Sequence, residues 1–413
     1  MQNQSQQGNE QLAKQGVISA NSLQYNLSPD LTVTTSRTKT SQFFQNQSYS
    51  SSSTMVCILN TGSSFIYGPN TTLVLDVKNS GSQAFSFGDN GAATNLINRI
   101  TVMTRSGVVL ERIDSSNVLS SIKMDYEHDY NWVSTTGALA GVSSPEIVAG
   151  ATKRFIIPMS LISGLFAYEN LLPAALMSGL RIEIVLASPI TSLRTTAEVT
   201  PDYQITGCRI ECDSYQLTDS IVRSLNESAA SSGLEVVFKT YFTTVGTRTT
   251  SNLNLESRRA CSRALAASYK EQPPRTSYLT NPMSTTAISA TYGPTSVQFR
   301  AGSLYFPNSV ISGSNPIVTS PEIQCMAMEA FNVYNTTNSS NALVDSYGSH
   351  SVIAVSLERS SMLELSGIPL SNSRTLCLNA TFSDVSAPNF NSYLFLEYAS
   401  LARVFISNAT VEV

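Results

Sequence analysis

Short apolar runs separated by turn residues recur along the chain from about residue 50 onward. The clearest run is residues 180–186, where Leu180 and Ile182 alternate with the charged Arg181 and Glu183. A period of two predicts a strand with one buried face and one wet face. Two further apolar runs flank a turn at residues 105–107, as in a β-hairpin. The pattern therefore predicts an all-β chain of many short antiparallel strands.

Two segments break this pattern and predict short helical insertions. Residues 117–124 follow Asp114 and Ser115, either of which is a suitable helix N-cap. Residues 321–333 are the better candidate, with Ser320 as the N-cap. Each insertion follows a predicted pair of strands, and there is one in each half of the chain.

The order of predicted elements occurs twice along the 413 residues, although the residues themselves do not repeat. Residues 1–50 form a polar N-terminal arm, and 51–225 form a first set of strands. Residues 226–233 form a linker rich in Ser and Ala, and 234–413 form a second set. We therefore predict two tandem antiparallel β-sandwiches with short helical insertions, the first of about eight strands and roughly jelly-roll size, consistent with a divergent internal duplication.

The composition favours a protein that presents surfaces to neighbours. Charged residues make up 13% of the chain, and Ser, Thr and Asn take their place. A neutral, hydroxyl-rich exterior fits a protein covered by other molecules, although a secreted β-protein would also show it. The net charge of -4 argues against a specific nucleic-acid site, because phosphate binding needs clustered Lys and Arg. Residues 1–15 lack a charged start and an apolar run, so we expect synthesis in a cytosol.

The most apolar region, residues 155–187, is not expected to be a transmembrane segment. Pro158, Glu169 and Arg181 are among the residues that interrupt it, and each charge at a bilayer centre costs about 2.5–3.5 kcal/mol. We assign this region to the core of a water-soluble fold.

The cysteines are too sparse for a disulfide framework, and we expect small buried apolar side chains. The six are Cys57, Cys208, Cys212, Cys261, Cys325 and Cys377. Cys208 and Cys212 fall on one predicted strand, about 13 Å apart at roughly 3.3 Å per residue. They cannot form a disulfide with each other while that strand persists.

Candidate catalytic and metal-binding residues are scarce. The densest cluster of metal-capable groups is residues 125–129, which contains His128, one of two histidines. A solvated acidic turn is the favoured reading over a cation site, and the spacing does not suit zinc. No Gly-x-Ser-x-Gly elbow is present, which argues against a serine nucleophile. Paired carboxylates from distant strands, as in a glycosidase, would not show in the sequence. We expect no catalytic residue, no cofactor and no metal.

One basic stretch and one aromatic cluster are candidate contact surfaces. The basic stretch includes Arg248, Arg258, Arg259 and Arg263. We favour a subunit contact there, because Arg pairs with carboxylates across interfaces, over a genome contact or a solvated sheet edge. The aromatic cluster of residues 126–132 could bind sugar, but core or interface packing is the more frequent role.

The order of several short motifs resembles that in double jelly-roll major capsid proteins, especially those of Polinton-like viruses and virophages. In the first half the motifs are residues 98–102 (NRITV), 107–113 (GVVLERI), 155–159 (FIIPM), 163–165 (SGL), 172–173 (LP) and 180–184 (LRIEI). In the second half they are residues 304–308 (LYFPN) and a helix containing residues 329–331 (EAF). The resemblance covers about residues 50–413 in element order.

This resemblance implies a structural protein that self-assembles and is not an enzyme. The fold would be two tandem eight-stranded antiparallel jelly rolls with short helical insertions, standing side by side. Homotrimers with a pseudo-hexagonal outline would tile an icosahedral shell around double-stranded DNA. Residues 1–50 would tie neighbouring capsomers from inside, and loops such as 134–145 and 269–294 would form the outer surface. Penton and other minor capsid proteins would be further partners. The protein would be made in the host cytosol and reside in the virion capsid.

Two alternative functions belong to other classes of protein. The first is a secreted glycan-binding or carbohydrate-active double β-sandwich protein, and the second is a fibre or adhesin subunit. The lack of a secretory signal in residues 1–15 and the polar arm count against both.

Overall fold

Strands dominate the structure, as the alternating pattern predicts. The computed structural model describes residues 34–88, 91–142, 145–247, 252–257, 263–270, 278–279, 294–313, 321–331, 352–358, 367–368, 370, 375–382, 390–405 and 409–412.

Eight strands build the first half of the fold. They are β1 (Thr34–Phe43), β2 (Thr54–Ile58), β3 (Phe65–Asn79), β4 (Ile97–Met103), β5 (Val109–Asp114), β6 (Thr152–Pro158), β7 (Arg181–Leu186) and β8 (Tyr203–Leu217). One sheet has the order β1-β8-β3-β6 and the other has the order β2-β7-β4-β5, with antiparallel neighbours throughout. Two four-stranded sheets with this interleaved order form a jelly roll.

The second half repeats this topology strand for strand. Its strands are β9 (Leu234–Thr247), β10 (Asn252–Ser257), β11 (Arg263–Lys270), β12 (Pro294–Ala301), β13 (Leu304–Ser312), β14 (Val352–Ser356), β15 (Leu376–Phe382) and β16 (Phe390–Val404). The sheets have the orders β9-β16-β11-β14 and β10-β15-β12-β13, again antiparallel. Each strand thus corresponds to the strand eight places earlier, and the predicted double jelly roll is confirmed.

In the described part of the chain, three longer helices connect these strands. They are α1 (Ser116–Tyr126), α2 (Asp219–Ser231) and α3 (Pro321–Ala330). Helices α1 and α3 both link the fifth and sixth strands of their roll, so both predicted insertions are confirmed. Ser115 precedes α1 in a left-handed conformation, with φ 54°, and its side chain makes no capping hydrogen bond. Ser320 lies outside the described residues.

Shorter elements fill the connections. The short helical segments are Ala93–Leu96, Tyr130–Trp132, Val133–Gly137, Ala138–Ala140, Met159–Ile162, Leu165–Ala167, Ala174–Met177 and Pro189–Ser192. The short strands are Tyr49–Ser50, Phe85–Ser86, Leu171–Leu172, Arg194–Thr195 and Ala409–Glu412.

The structure places two predicted segments differently from the sequence analysis. Residues 34–43, assigned there to the arm, form edge strand β1, which pairs along β8. An edge strand tolerates such a polar sequence because most of its side chains face water. Residues 226–233, assigned to a linker, contain the last turns of α2. Ile221, Leu225 and the buried Ala229 recur at helical spacing, which the Ser-rich composition obscured.

The core confirms the predicted alternation of strand β7. Ile182 and Ile184 are fully buried, whereas Arg181 and Glu183 form an ion pair on the opposite face. Residues 155–187 supply much of the first hydrophobic cluster, including Phe155. A second cluster lies between the sheets of the second roll, around Phe299. Among the described helices, none is both long and apolar enough to cross a bilayer.

The described cysteines are all free thiols, but they are not all buried. Cys57, Cys212 and Cys377 are buried, Cys208 is half-buried in β8, and Cys325 is exposed on α3. Burial raises the pKa of the Cys57 and Cys212 thiols to about 12, so both stay protonated and act as apolar core groups. Cys261 lies outside the described residues.

Candidate assembly surfaces and the junction between the rolls

One buried hydrophobic cluster contains residues of both rolls. Val236 and Phe238 of β9 belong to the same buried cluster as the core of the first roll. The partner surface on that roll consists of strand β5, helix α1 and the turn at residues 163–165. A direct hydrogen bond adds to it, since the Thr243 hydroxyl donates to the Asp114 carbonyl at 2.7 Å. The rolls therefore form one body and not two tethered domains.

A buried carboxylate lies at the centre of this junction. Glu111 of β5 is 1% exposed. It accepts hydrogen bonds from the Thr240 hydroxyl of β9 at 2.6 Å and from the Gly164 backbone N–H at 2.7 Å. The Ser163 hydroxyl also donates to it, and the Leu165 N–H lies 3.5 Å from Oε2. Glu111 thus connects a strand and a turn of the first roll to the second roll.

The protonation of Glu111 reflects two opposing effects. Burial raises the pKa of the carboxyl above its ordinary value, because the charged form loses its hydration. The hydrogen bonds from Ser163, Thr240 and Gly164 oppose that rise. A carboxylate surrounded by donors in this way acts as a structural acceptor.

Backbone contact at the junction requires glycine at residue 164. A Cβ added to Gly164 would lie 1.7 Å from the backbone carbonyl oxygen of Lys239 in β9. That oxygen belongs to a strand paired along its length with β16, so it cannot move aside without disturbing the sheet. The close approach also brings the Gly164 N–H within reach of Glu111.

An aromatic stack joins the helices of the two rolls. Tyr126 at the end of α1 is buried and stacks on Phe331 just after α3, with ring centroids 4.7 Å apart and planes at 19°. Lys123 of α1 lies 5.8 Å from the ring centroid of Tyr241 in β9. Tyr126 therefore packs in the interior and is not part of a sugar-binding surface.

A second buried carboxylate attaches the N-terminal strand. The Asp213 side chain in β8 is fully buried and accepts two hydrogen bonds from Arg37 of β1, at 2.9 and 2.8 Å. Asn70 and Tyr215 also donate to it, at 2.9 and 3.2 Å. Burial alone would raise the pKa of Asp213, but the hydrogen bonds from Arg37 and Asn70 and the Arg37 charge lower it below its ordinary value. The charged form of Asp213 therefore helps to hold β1 on the sheet.

Of the four arginines predicted to make subunit contacts, only Arg263 lies within the described residues. Arg248, Arg258 and Arg259 lie outside the described residues. Arg263 begins strand β11, where its backbone pairs with Ser356 and Glu397. A role for these arginines in subunit contact stays a prediction.

The side chains of the acidic turn after α1 make contacts within the fold. Asp129 accepts a hydrogen bond from the Trp132 N–H at 2.8 Å, which caps the next helical segment. The His128 ring stacks on Trp132 with centroids 3.8 Å apart. Burial lowers the pKa of His128 to about 4, so the imidazole is neutral at pH 7. Within the described part of the chain, no cluster of three or more His, Cys, Asp or Glu side chains could hold a metal.

Large apolar side chains are exposed at several strands. The most exposed is Phe43 at the end of β1, at 71%, and Ile58 at the end of β2 is exposed at 48%. On β13, Val310 is exposed at 52%. Sequence patterning could not identify these residues, because a strand pattern does not show which edges remain uncovered. Exposed apolar residues on sheet edges are candidates for contact with other molecules.

Comparison with known proteins identifies the fold. No protein-family model matches the sequence, and no curated protein matches it in sequence. Solved structures do match. PBCV-1 VP54, as fitted into a cryo-EM reconstruction of the virophage Sputnik, superposes with a TM-score of 0.62 at 10% identity, over 94% of this chain and 99% of that chain.

Two virophage structures agree over nearly the whole length. The 3.5 Å cryo-EM structure of the Sputnik virophage matches with a TM-score of 0.59 at 9% identity, covering 94% of this chain and 91% of that chain. The mavirus major capsid protein matches with a TM-score of 0.51 at 9% identity, covering 95% and 93%. The chain thus has the double jelly-roll fold seen in viral major capsid proteins, as its motif order predicts.

Removing the Glu111 carboxylate should destabilise the junction. In Glu111→Ala the buried donors of Gly164 and Thr240 lose their acceptor, and we expect a loss of about 3 kcal/mol or more in the free energy of unfolding. Glu111→Gln should lose less, because it keeps the volume and one acceptor. Urea denaturation measures both. Glu146→Ala, in an exposed loop, is the matched control, and equal stability of the two alanine variants would contradict the role of Glu111.

Adding a methyl group at residue 164 should separate the rolls. We expect Gly164→Ala to lose most of its soluble yield or to melt far below the wild type, because its Cβ would overlap the Lys239 carbonyl. Gly62→Ala is the control, since its added Cβ meets nothing within 4 Å and only its φ of +59° carries strain. A thermal melt of Gly164→Ala no lower than that of Gly62→Ala would show that the two backbones do not meet here.

The attachment of β1 should depend on pH. Because the folded-state pKa of Asp213 lies below its unfolded-state value, its stabilising effect is complete above the ordinary carboxyl pKa of about 4 and is lost as pH falls through the folded value. Asp213→Asn should therefore be less stable than the wild type at pH 7, with a smaller difference at pH 3. Denaturation at both pH values tests this, with Glu146→Gln as the control. A difference that does not change with pH would rule out the charge effect.

Proposed function

We propose that this chain is a major capsid protein, which assembles as pseudo-hexameric trimers into the icosahedral shell of a double-stranded DNA virus. The observation that carries the proposal is the repeated topology, in which β9–β16 reproduce β1–β8 within one continuous body. The match over more than nine-tenths of the chain to capsid structures supports it.

The doubled fold suits a hexagonal lattice for a geometric reason. Two rolls of the same topology present similar outlines, so three copies place six similar lobes around a three-fold axis. A closed ring of this kind needs one contact repeated head to tail between copies. The junction between the rolls supplies a rigid angle within each copy, because Glu111 and Gly164 join the rolls through buried contacts.

The surface is compatible with burial between copies. Charged residues make up 13% of the chain, which leaves much of the exterior neutral. Exposed apolar residues occur on strands at sheet edges, which a self-assembling protein would cover with its neighbours. The arm before β1, the penton and other minor capsid proteins are further proposed contacts, and the proposed location is the virion capsid after synthesis in the host cytosol.

The described residues do not favour the glycan-binding alternative. Tyr126 is buried against Phe331, and His128 covers one face of Trp132, so these two rings do not together form an open aromatic platform. The buried carboxylates of the described residues, Glu111, Asp213 and Glu397, all accept hydrogen bonds from donors within the fold. We assign them structural roles and propose no catalytic activity.

Oligomeric state is the direct test of this proposal. Mass photometry of the purified protein should show a stable species near three times 44.5 kDa, and negative-stain images should show a hexagonal outline or closed shells. A monomer that persists at both dilute and high concentration would overturn the proposal. A glycan-array screen of that monomer would then test the alternative.

A further inference from the structure

Glu111, the buried acid at the junction between the rolls, has no cation beside it. Its hydrogen-bond donors in the described structure are the hydroxyls of Ser163 and Thr240 and the backbone N–H groups of Gly164 and Leu165. All four donors are uncharged, and no charged side chain among the described residues offsets the charge of this carboxylate. The junction therefore contains a buried acid without a counter-ion.

The cation of strand β9 interacts with other carboxylates. Lys239 precedes Thr240, so its side chain lies on the opposite face of the strand. The Lys239 Nζ atom is 3.4 Å from Glu358 and 3.7 Å from Glu397. On the same face, the Tyr241 hydroxyl donates to Glu397 at 2.7 Å. The ionisable groups of β9 thus form their own network, away from the acid at the junction.

The remaining elements around this acid also leave it without a cation. In helix α1, Lys123 pairs with Glu127 at 3.6 Å. On strands β4 and β5, Arg99 and Arg112 both lie within ion-pair distance of Asp114, at 3.9 and 3.0 Å. The turn of the first roll that donates to the acid contains no ionisable side chain. The charge at the junction therefore depends on the protonation of one carboxyl group.

The hydrogen-bond partners of Glu111 suit both of its protonation states. The charged form accepts from every donor around it. The neutral form must donate its proton, and the hydroxyl of Ser163 or Thr240 can rotate to accept it. The Gly164 N–H still donates to the carboxyl group in both states. Because burial without a counter-ion penalises the charged form, the pKa of Glu111 is raised above its ordinary value.

This raised pKa links the stability of the fold to pH in a definite direction. In the unfolded chain the carboxyl group ionises near its ordinary pKa of about 4.3. Between that value and the folded-state pKa, the folded protein holds a proton that the unfolded chain has lost. Stability is therefore complete below the unfolded-state pKa and declines as pH rises through the folded-state pKa.

We propose that Glu111 is a pH-dependent switch at the junction, which holds strand β9 on the first roll most firmly when the carboxyl group is protonated. Ionisation of the group leaves an uncompensated charge between the rolls and loosens the contact. The response is opposite in sign to that of Asp213, whose charged form holds β1. Acid thus weakens the attachment of the N-terminal strand and strengthens the contact between the rolls.

The Glu111→Gln variant tests the switch, because an amide keeps the volume of the carboxyl group and cannot ionise. Urea denaturation at one protein concentration, from about pH 4.5 to about pH 8.5, gives the unfolding constants of the wild type and the variant. The ratio of the wild-type constant to the variant constant should rise by up to about tenfold per pH unit between the two pKa values of Glu111. A ratio that is constant or falls with pH would overturn the proposal. Glu146→Gln, at an exposed acid, is the control and should give a constant ratio.

Hydrogen exchange shows whether the effect acts on the junction. After correction for the intrinsic rate, exchange in β9 should increase with pH in the wild type and not in Glu111→Gln, whereas exchange in β7 should not differ between them. Equal pH dependence of β9 in both proteins would show that Glu111 does not control this contact.

A second variant keeps the test decisive if Glu111→Gln does not fold. Thr240→Val removes a donor that favours the charged form and so raises the pKa of Glu111 further. The decline in stability should then continue to higher pH than in the wild type. If the decline ends at the same pH in both proteins, the carboxyl group at the junction is not the group that titrates, and the proposal fails.

Discussion

The structure depends on the burial of strand β9, the first strand of the second roll, against the first roll, which already has both of its own sheets. Strand β9 belongs to a sheet of the second roll, yet Val236 and Phe238 are part of the core of the first. Burying this surface leaves polar backbone and hydroxyl groups without water, and Glu111 supplies the acceptor that they need. A carboxylate inside a protein is costly unless donors surround it, as they do here. The apolar contact and the polar contact are therefore both required at the same place.

A second buried carboxylate, Asp213, attaches strand β1 to its sheet. This strand is polar and mostly exposed, so it contributes little apolar burial to its own stability. The Arg37–Asp213 pair compensates, because the carboxylate is fully buried and its oxygens are bound by Arg37, Asn70 and Tyr215. Breaking one member of such a network leaves the others buried without partners. The edge that presents Phe43 is held in place in this way.

Hydrophobic periodicity by itself determined the class of the fold. The alternation in residues 180–186, the hairpin turn at residues 105–107 and the two helical segments follow from local chemistry, and the structure confirms each of them. The order of these elements predicted two tandem β-sandwiches, and the resemblance of the motif order to capsid proteins predicted that both are jelly rolls. Two assignments made from composition were wrong. The polar residues of β1 were assigned to an arm, and the Ser-rich end of α2 was assigned to a linker.

The sites were decided by tertiary structure alone. Glu111 stands in a strand pattern where a charged residue normally faces water, and only the arrival of β9 makes it a buried acceptor. Gly164 looks like any turn glycine until the Lys239 carbonyl is brought against it. Asp213 and Arg37 are 176 residues apart in the chain and meet through strand pairing. Sequence periodicity reports which way a side chain points, whereas contacts between distant strands depend on how the sheets are joined.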